Sequence, residues 1–237
     1  VVVTRAALAE VCESSDESLR LVCASLLYNL KLYAGQDRVL VPTLEIIAHM
    51  FHIGLLQRSG LAVTGAGTSS GESVHLNLKQ LCLLVQKAAY KTGNIRKLEA
   101  CIKVYGAIAA VGTNATTVNT TTSKDTTTGT GNRVDSNSGT GGNVDVAGRL
   151  DSAEASTPEG LARKRQADEG VAEARRRLGA LLLHPWPRVR SLVVDELWDL
   201  LGGHEAIDGG QEKLLGVDWG KADKAFVKKS AGELGLV

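Results

Sequence analysis

The chain predicts an all-α protein built from antiparallel helix hairpins stacked side by side and interrupted by a segment with no means of folding. Three observations predict it. Leu181 to Leu201 reads as helix, tight turn, helix: Pro185 restrains the segment before the turn, and Pro187 has the fixed φ and missing N–H that suit a first helical turn. Val189, Leu192, Val193, Leu197 and Leu200 then recur at helical spacing and form one apolar face, which needs a neighbour. The same spacing runs through most of the first half of the chain. By contrast, Gly112 to about Gly170 is Thr, Asn, Gly, Asp and Ser with scarcely an aliphatic residue, too little apolar surface to offset the entropy of ordering it.

Taken in order, Val1 to Val11 reads as a short helix ended by the polar Glu13-Ser14-Ser15-Asp16 run, in which Ser15 or Asp16 can cap the next helix. Leu19, Val22, Cys23, Leu26, Leu27, Leu30 and Tyr33 carry that helix until Gly35. Asp37 is the predicted cap of a helix bearing Val39, Leu40, Leu44, Ile47, Ala48, Phe51 and Leu55, with Pro42 early enough to be tolerated. Gly60 to Ser73 is a Gly/Ser/Thr loop. Helices resume with Val74, Leu78, Leu81, Cys82, Val85 and Ala89, break at Thr92-Gly93-Asn94, and restart with Ile95, Leu98, Cys101, Ile102, Tyr105 and Ile108. The expected divisions are residues 1–111 as helical repeats with a loop near 60–73, 112–170 as a disordered Thr/Ser/Gly-rich insertion, and 171–237 as a last hairpin and terminal helix. A turn followed by an aliphatic residue and an arginine opens three helices, at Arg20, Arg96 and Arg190. Their separations approximate two periods and, with the insertion removed, one period of roughly 40 residues. That regularity and the prolyl turn followed by Val-Arg point to an α-solenoid of HEAT/armadillo type.

Composition limits the function. With 237 residues, 43% hydrophobic but 4% aromatic, the core must be built from Leu, Val, Ile and Ala. Lys plus Arg (27) nearly balances Asp plus Glu (26), so a net charge of +1 predicts no strong field for nucleic acid or anionic membrane. Cys12, Cys23, Cys82 and Cys101 lie within aliphatic helical patterns without a C-x-x-C pair, which predicts buried reduced thiols. No secretory leader opens the sequence and no uncharged apolar run reaches about 18 residues, so a cytoplasmic location is expected. The start at Val1-Val2-Val3, already inside an apolar pattern, reads as part of a longer stack.

Candidates for chemistry are weak. Gly65-Ala66-Gly67-Thr68-Ser69-Ser70-Gly71 resembles a phosphate loop in composition alone, because no Lys-Ser/Thr follows and no strand precedes. His49 and His52 share a helix but lack a third ligand, and His184 lacks a nucleophile or acid at a recognised spacing. Asn114-Ala115-Thr116 and Asn119-Thr120-Thr121 fit the glycosylation pattern without a secretory context. Arg163-Lys164-Arg165 and Arg175-Arg176-Arg177 resemble an import signal or phosphate stripe, yet the interleaved Asp168, Glu169 and Glu173 favour a solvated helix edge. No catalytic residue, cofactor or metal is expected, and the protein is read as a binder rather than an enzyme. In the last hairpin Val189, Leu192, Val193 and Leu197 are predicted core, Pro185 and Pro187 set the turn, and Trp198 packs at the helix edge. Arg190 is expected to bond along the stack to an acidic group of an adjacent repeat. Trp186, at the turn tip, and Arg188 are the candidate partner contacts, with Trp186 folding back over Leu183 as the alternative.

Four segments in order carry a family resemblance. Asp37-Arg38-Val39-Leu40-Val41-Pro42-Thr43-Leu44-Glu45-Ile46-Ile47 resembles a D-x-R-V-x-V-P-x-L-x-x-L helix, and Lys91-Thr92-Gly93-Asn94-Ile95-Arg96-Lys97-Leu98 a K-x-x-x-D-I-x-K-L turn. His184-Pro185-Trp186-Pro187-Arg188-Val189-Arg190 resembles an H-P-x-P-x-(I/V)-R turn, and Trp219 stands where a tryptophan precedes the last helix. All four are features of the C-terminal region of the tubulin-folding cofactor D family, large HEAT-repeat tubulin chaperones. The resemblance implies binding of β-tubulin, partnership with cofactors E and C and an Arf-like small GTPase, and participation in assembly and disassembly of the αβ-tubulin heterodimer. It implies no catalytic residue on this chain. The insertion at 112–170 and the loop near 61–73 depart from the family pattern between helices. A generic HEAT scaffold, such as a transport receptor or phosphatase regulator, and a nucleic-acid-binding solenoid using the Arg163 to Arg177 region are the other readings.

Overall fold

A computed structural model of the chain describes residues 7–10, 12–13, 15–58, 77–89, 93–114, 158–202 and 210–236, and every regular element among them is a helix. Helix α1 (Asp16–Leu32) starts where Ser15, extended at φ −156, accepts a hydrogen bond from the Ser18 N–H at 3.4 Å. Asp16 and Glu17 face the positive end of its dipole. Leu19, Cys23, Leu26 and Leu30 form its buried stripe. Helix α2 (Asp37–His52) buries Leu40, Val41, Thr43, Leu44, Ile47, Met50 and Phe51. Pro42 lies inside it on the exposed side, where its missing N–H does not disturb the packed face. Gly54, at φ +76, turns the chain into the single-turn α3 (Leu55–Arg58).

Helix α4 (Leu78–Ala89) is capped by Asn77, whose Oδ1 accepts from the Gln80 N–H at 3.1 Å. In α5 (Ile95–Asn114) Asn94 does the same for Arg96 (3.0 Å) and Lys97 (3.4 Å). Then follow α6 (Pro158–Leu182) and α7 (Pro187–Gly202), both opened by a proline, and the short α8 (Gly210–Leu214) and α9 (Lys224–Glu233). Asp223 caps α9 through the Phe226 N–H at 2.9 Å.

The helices pair as α1–α2, α4–α5 and α6–α7, and these hairpins stack in two layers. In one layer α4 lies between α1 and α6; in the other α5 lies between α2 and α7. A single continuous core joins all three pairs and reaches Leu214, Trp219, Val227 and Leu236 at the far end. This is the α-solenoid the sequence predicts.

Close approach of the layers is set at particular glycines. A Cβ on Gly170 of α6 would collide with the Leu78 Cβ and lie 3.1 Å from main-chain atoms of Leu78 and Lys79, so α6 meets α4 backbone to backbone there. The C-terminal tail ends α9 in a Schellman turn. Gly235 adopts φ +66, its N–H donates to the Gly232 carbonyl (3.1 Å), and the Leu236 N–H donates to the Ala231 carbonyl (2.9 Å). Leu236 is thereby pressed onto Gly179 of α6, whose Cβ would stand 2.8 Å from the Leu236 oxygen.

Three sequence expectations need correction. The boundary at 170/171 falls inside α6, so residues 158–170 are helix rather than insertion, and α5 continues past 111 to Asn114. Leu161, Ala162, Lys164, Arg165, Gln166 and Ala167 are good helix formers, but this first half of α6 lacks an aliphatic stripe because it buries little. Asp37 is the first residue of α2, not its cap, which is Gln36. Arg20 lies on α1, a first helix of its hairpin, whereas Arg96 and Arg190 open second helices, so Arg20 does not mark the same register. The short helix predicted for Val1 to Val11 lies mostly outside the described residues, as do the loop near 60–73 and residues 115–157 of the predicted insertion.

Candidate protein-interaction surface

The turns joining first to second helices lie along one edge of the stack, and most of the predicted site residues are there. At the first turn Asp37 is held by its neighbour hairpin: Lys97 Nζ donates to its Oδ1 at 2.9 Å and Asn94 Nδ2 to its Oδ2 at 2.8 Å. Lys97, 7% exposed, also donates to the Ala34 carbonyl at 3.2 Å. The Lys97 and Asn94 hydrogen bonds, opposed only weakly by desolvation, hold the Asp37 carboxyl below the usual carboxylate range. A buried ammonium is tolerated because each contact it makes is to an oxygen.

The second and third turns meet through Trp186. Its ring edge comes to 3.7 Å from where a Cβ on Gly93 would be, and His184 packs against it edge-on with centroids 5.1 Å apart. The Trp186 N–H donates to His184 Nδ1 at 3.2 Å, which fixes the imidazole as an acceptor there. Burial, then the charge of Arg190, lower the His184 pKa, consistent with that neutral form. Trp186 therefore leans across to the preceding hairpin and retains 37% exposure. Arg188 beside it is exposed.

Arg190 bonds onward along the stack, but to main-chain oxygens instead of an acidic group: Nη1 to the Ala222 carbonyl (3.0 Å) and Nη2 to that of Gly220 (2.5 Å). The connection from α8 to α9 supplies carbonyls that no helix uses, and a guanidinium fork matches two of them. The same connection rests on Pro187 and places Trp219 inward, 5% exposed, with its indole N–H donating to the Leu214 carbonyl at 3.0 Å. Val189, Val193 and Leu197 are fully buried; Leu192 is half-buried at the border of the core rather than within it. Trp198 lies at the helix edge, and its carbonyl accepts from Gln211 Nε2 at 3.1 Å. Pro185 and Pro187 shape the turn from its exposed side.

Two features escaped the sequence reading. Glu196 of α7 lies over Gly106 of α5, where any side chain would strike its carboxylate, and burial followed by the charges of Asp199, Asp195 and Glu99 raises its pKa despite Lys103. Glu173 of α6 is held by Arg176 (2.7 Å) and Arg177 (2.5 Å). Burial pushes its carboxyl up, but the two guanidinium groups outweigh that and leave its pKa lowered. The spacings 173/176 and 173/177 were visible; that Glu173 turns inward was not.

Among the described residues no group of three or more His, Cys, Asp or Glu side chains could hold a metal. His49 is half-buried and His52 exposed on α2. All four cysteines are buried free thiols, with burial pushing those of Cys23, Cys82 and Cys101 up to about 12. No described helix is long and apolar enough to cross a membrane. The glycine-rich 65–71 run and Asn119 lie outside the described residues, and of Asn114 only the helical backbone is described.

Compared with known proteins, residues 1–97 match the family described as tubulin folding cofactor D C terminal. The recognition made from the Asp37 helix and the Asn94 turn therefore stands over that span, whereas the His184 to Arg190 turn and Trp219 lie beyond it. No curated protein and no solved structure matches the chain.

Proposed function

We propose that this chain, whose first 97 residues carry the tubulin folding cofactor D C-terminal pattern, is a non-catalytic interaction region of a cofactor D-like tubulin chaperone. It would act in the cytoplasm at the microtubule cytoskeleton, binding β-tubulin and the cofactors E and C, with an Arf-like small GTPase as a further partner, during assembly and disassembly of the αβ heterodimer. The family match is the observation that carries this reading. The architecture supports it physically, because two stacked helix layers present an extended surface of the size that protein complexes bury.

The test is direct binding of the purified chain to purified tubulin and to cofactor E, measured by size-exclusion chromatography and by surface-immobilised titration. Co-elution with either is the expected result. Binding to neither would leave a generic HEAT scaffold as the better assignment, with the family pattern reflecting shared helical architecture.

A further inference from the structure

The arginine run of α6 contains three cations, of which two hold one carboxylate. Glu173 takes Arg176 and Arg177, while Glu169, the other acid on that flank, is drawn to Lys79 of α4 at 3.3 Å. Arg175 is left without an ion pair or hydrogen bond among the described residues, and its Nε is buried without an acceptor. Such an orphaned donor costs stability unless something supplies an oxygen. It lines a cleft of about 510 Å³ between α6 and the C-terminal tail, walled by Val171, Ala172, Gly235 and Leu236 and flanked by Asp168 and Arg176.

Helical spacing puts Lys164 within about 20° of Arg175 around α6 and Arg165 about 80° to one side, and both are exposed without an ion-pair partner among the described residues. Asp168, Glu169 and Glu173 lie between them, and Asp168 is the one not held by a cation among the described residues. The interleaved acids that make the sequence read as a self-neutralising edge are thus mostly used elsewhere, and the outer side of α6 retains unmatched positive charge. We infer that this side of α6 is a docking site for an acidic, extended segment of a partner polypeptide, with one glutamate or aspartate carboxylate anchored on Arg175 in the cleft and others on Lys164 and Arg165.

The dimensions agree. Lys164 and Arg175 lie about 16 Å apart along the helix at roughly 1.5 Å per residue, which about five residues of extended peptide span at roughly 3.3 Å each. The cleft combines a guanidinium with the apolar Val171 and Leu236, which suits a carboxylate carried on methylene groups. Nucleic acid fits less well, since the residues that line the cleft include no aromatic ring on which a base could stack. The inference rests on the reading of this chain as a binding region, but it does not depend on which protein is bound.

The experiment is fluorescence anisotropy of labelled hexaglutamate with the intact chain and with Arg175→Gln and Lys164→Glu/Arg165→Glu variants. Labelled hexalysine and a six-nucleotide oligothymidylate serve as comparison probes, and the thermal melt of each variant checks its fold. Expected are saturable hexaglutamate binding that weakens with salt, a loss of about tenfold on removing the Arg175 charge-assisted bond, and a melt that does not fall. Absence of hexaglutamate binding, equal binding by Arg175→Gln, or tighter binding of the oligonucleotide would each overturn the assignment. A chain that binds tubulin yet ignores hexaglutamate would refute the docking site alone, leaving the functional reading in place.

Discussion

Replacing Gly170 with alanine tests whether the stack is held by backbone contact between hairpins. In a free helix the change is favourable, by about 1 kcal/mol, because alanine loses less backbone entropy on folding. In α6 the new methyl would overlap the Leu78 side chain and lie 3.1 Å from two main-chain atoms of α4. The atom it strikes is the Leu78 Cβ, which is fixed by the backbone and cannot swing away, so α4 and α6 must separate by about an ångström to restore ordinary contact. Overpacking of this kind costs about 1–3 kcal/mol. Gly232 of α9 supplies the control, since a Cβ there meets nothing within 4 Å and only the favourable term of up to about 1 kcal/mol remains. The two helix-propensity gains nearly cancel, so the difference between the variants isolates the overlap, about 2 kcal/mol or roughly 4–8 °C in Tm for a chain of this size. Thermal unfolding followed by circular dichroism at 222 nm measures it. If Gly170→Ala melts with or above Gly232→Ala, the two helices do not meet as described.

Glu196→Gln should stabilise the protein at neutral pH. The folded-state pKa of Glu196 is raised, so its contribution is fully present below the ordinary glutamate value of about 4.3 and is lost as pH rises through the raised value. Because part of the side chain remains near solvent, the gain at pH 7 should be under about 4 °C. It should vanish in melts below pH 4, and a gain independent of pH would show that charge is not the cause. Val189→Asp places an unpaired carboxylate at a fully buried position, costing at least about 3 kcal/mol. A melt unchanged by that substitution would show that the α7 face is misassigned.

Helix positions were readable wherever burial imposes a period. The α7 stripe of Val189, Val193 and Leu197 and the α1 stripe of Leu19, Cys23, Leu26 and Leu30 could be placed from spacing, because each faces a continuous core. The start of α6 was not readable, since its first half buries little and periodicity records only burial. Polar partners were hidden for a different reason. Asp37 looks like a cap in sequence, and only the approach of Asn94 and Lys97 from the next hairpin gives it another task. The partners of Arg190 could not be anticipated because carbonyls are present at every residue, and which ones lack a donor depends on the path of the connection between α8 and α9.

The Asp37–Asn94–Lys97 cluster and the Trp186–Gly93 contact fasten successive hairpins along the same margin. Directional bonds fail when stretched by an ångström, whereas aliphatic side chains slide past one another at little cost. The assembly is therefore bound like a book at its spine: polar ties keep the spacing of the pages along that margin, whereas the opposite margin is held between α4 and α6 by packing at Gly170 and by one exposed ion pair. A partner seated against the pages could change the curvature of the stack by opening or closing them at that opposite margin, parting the exposed Lys79–Glu169 pair before any tie of the spine.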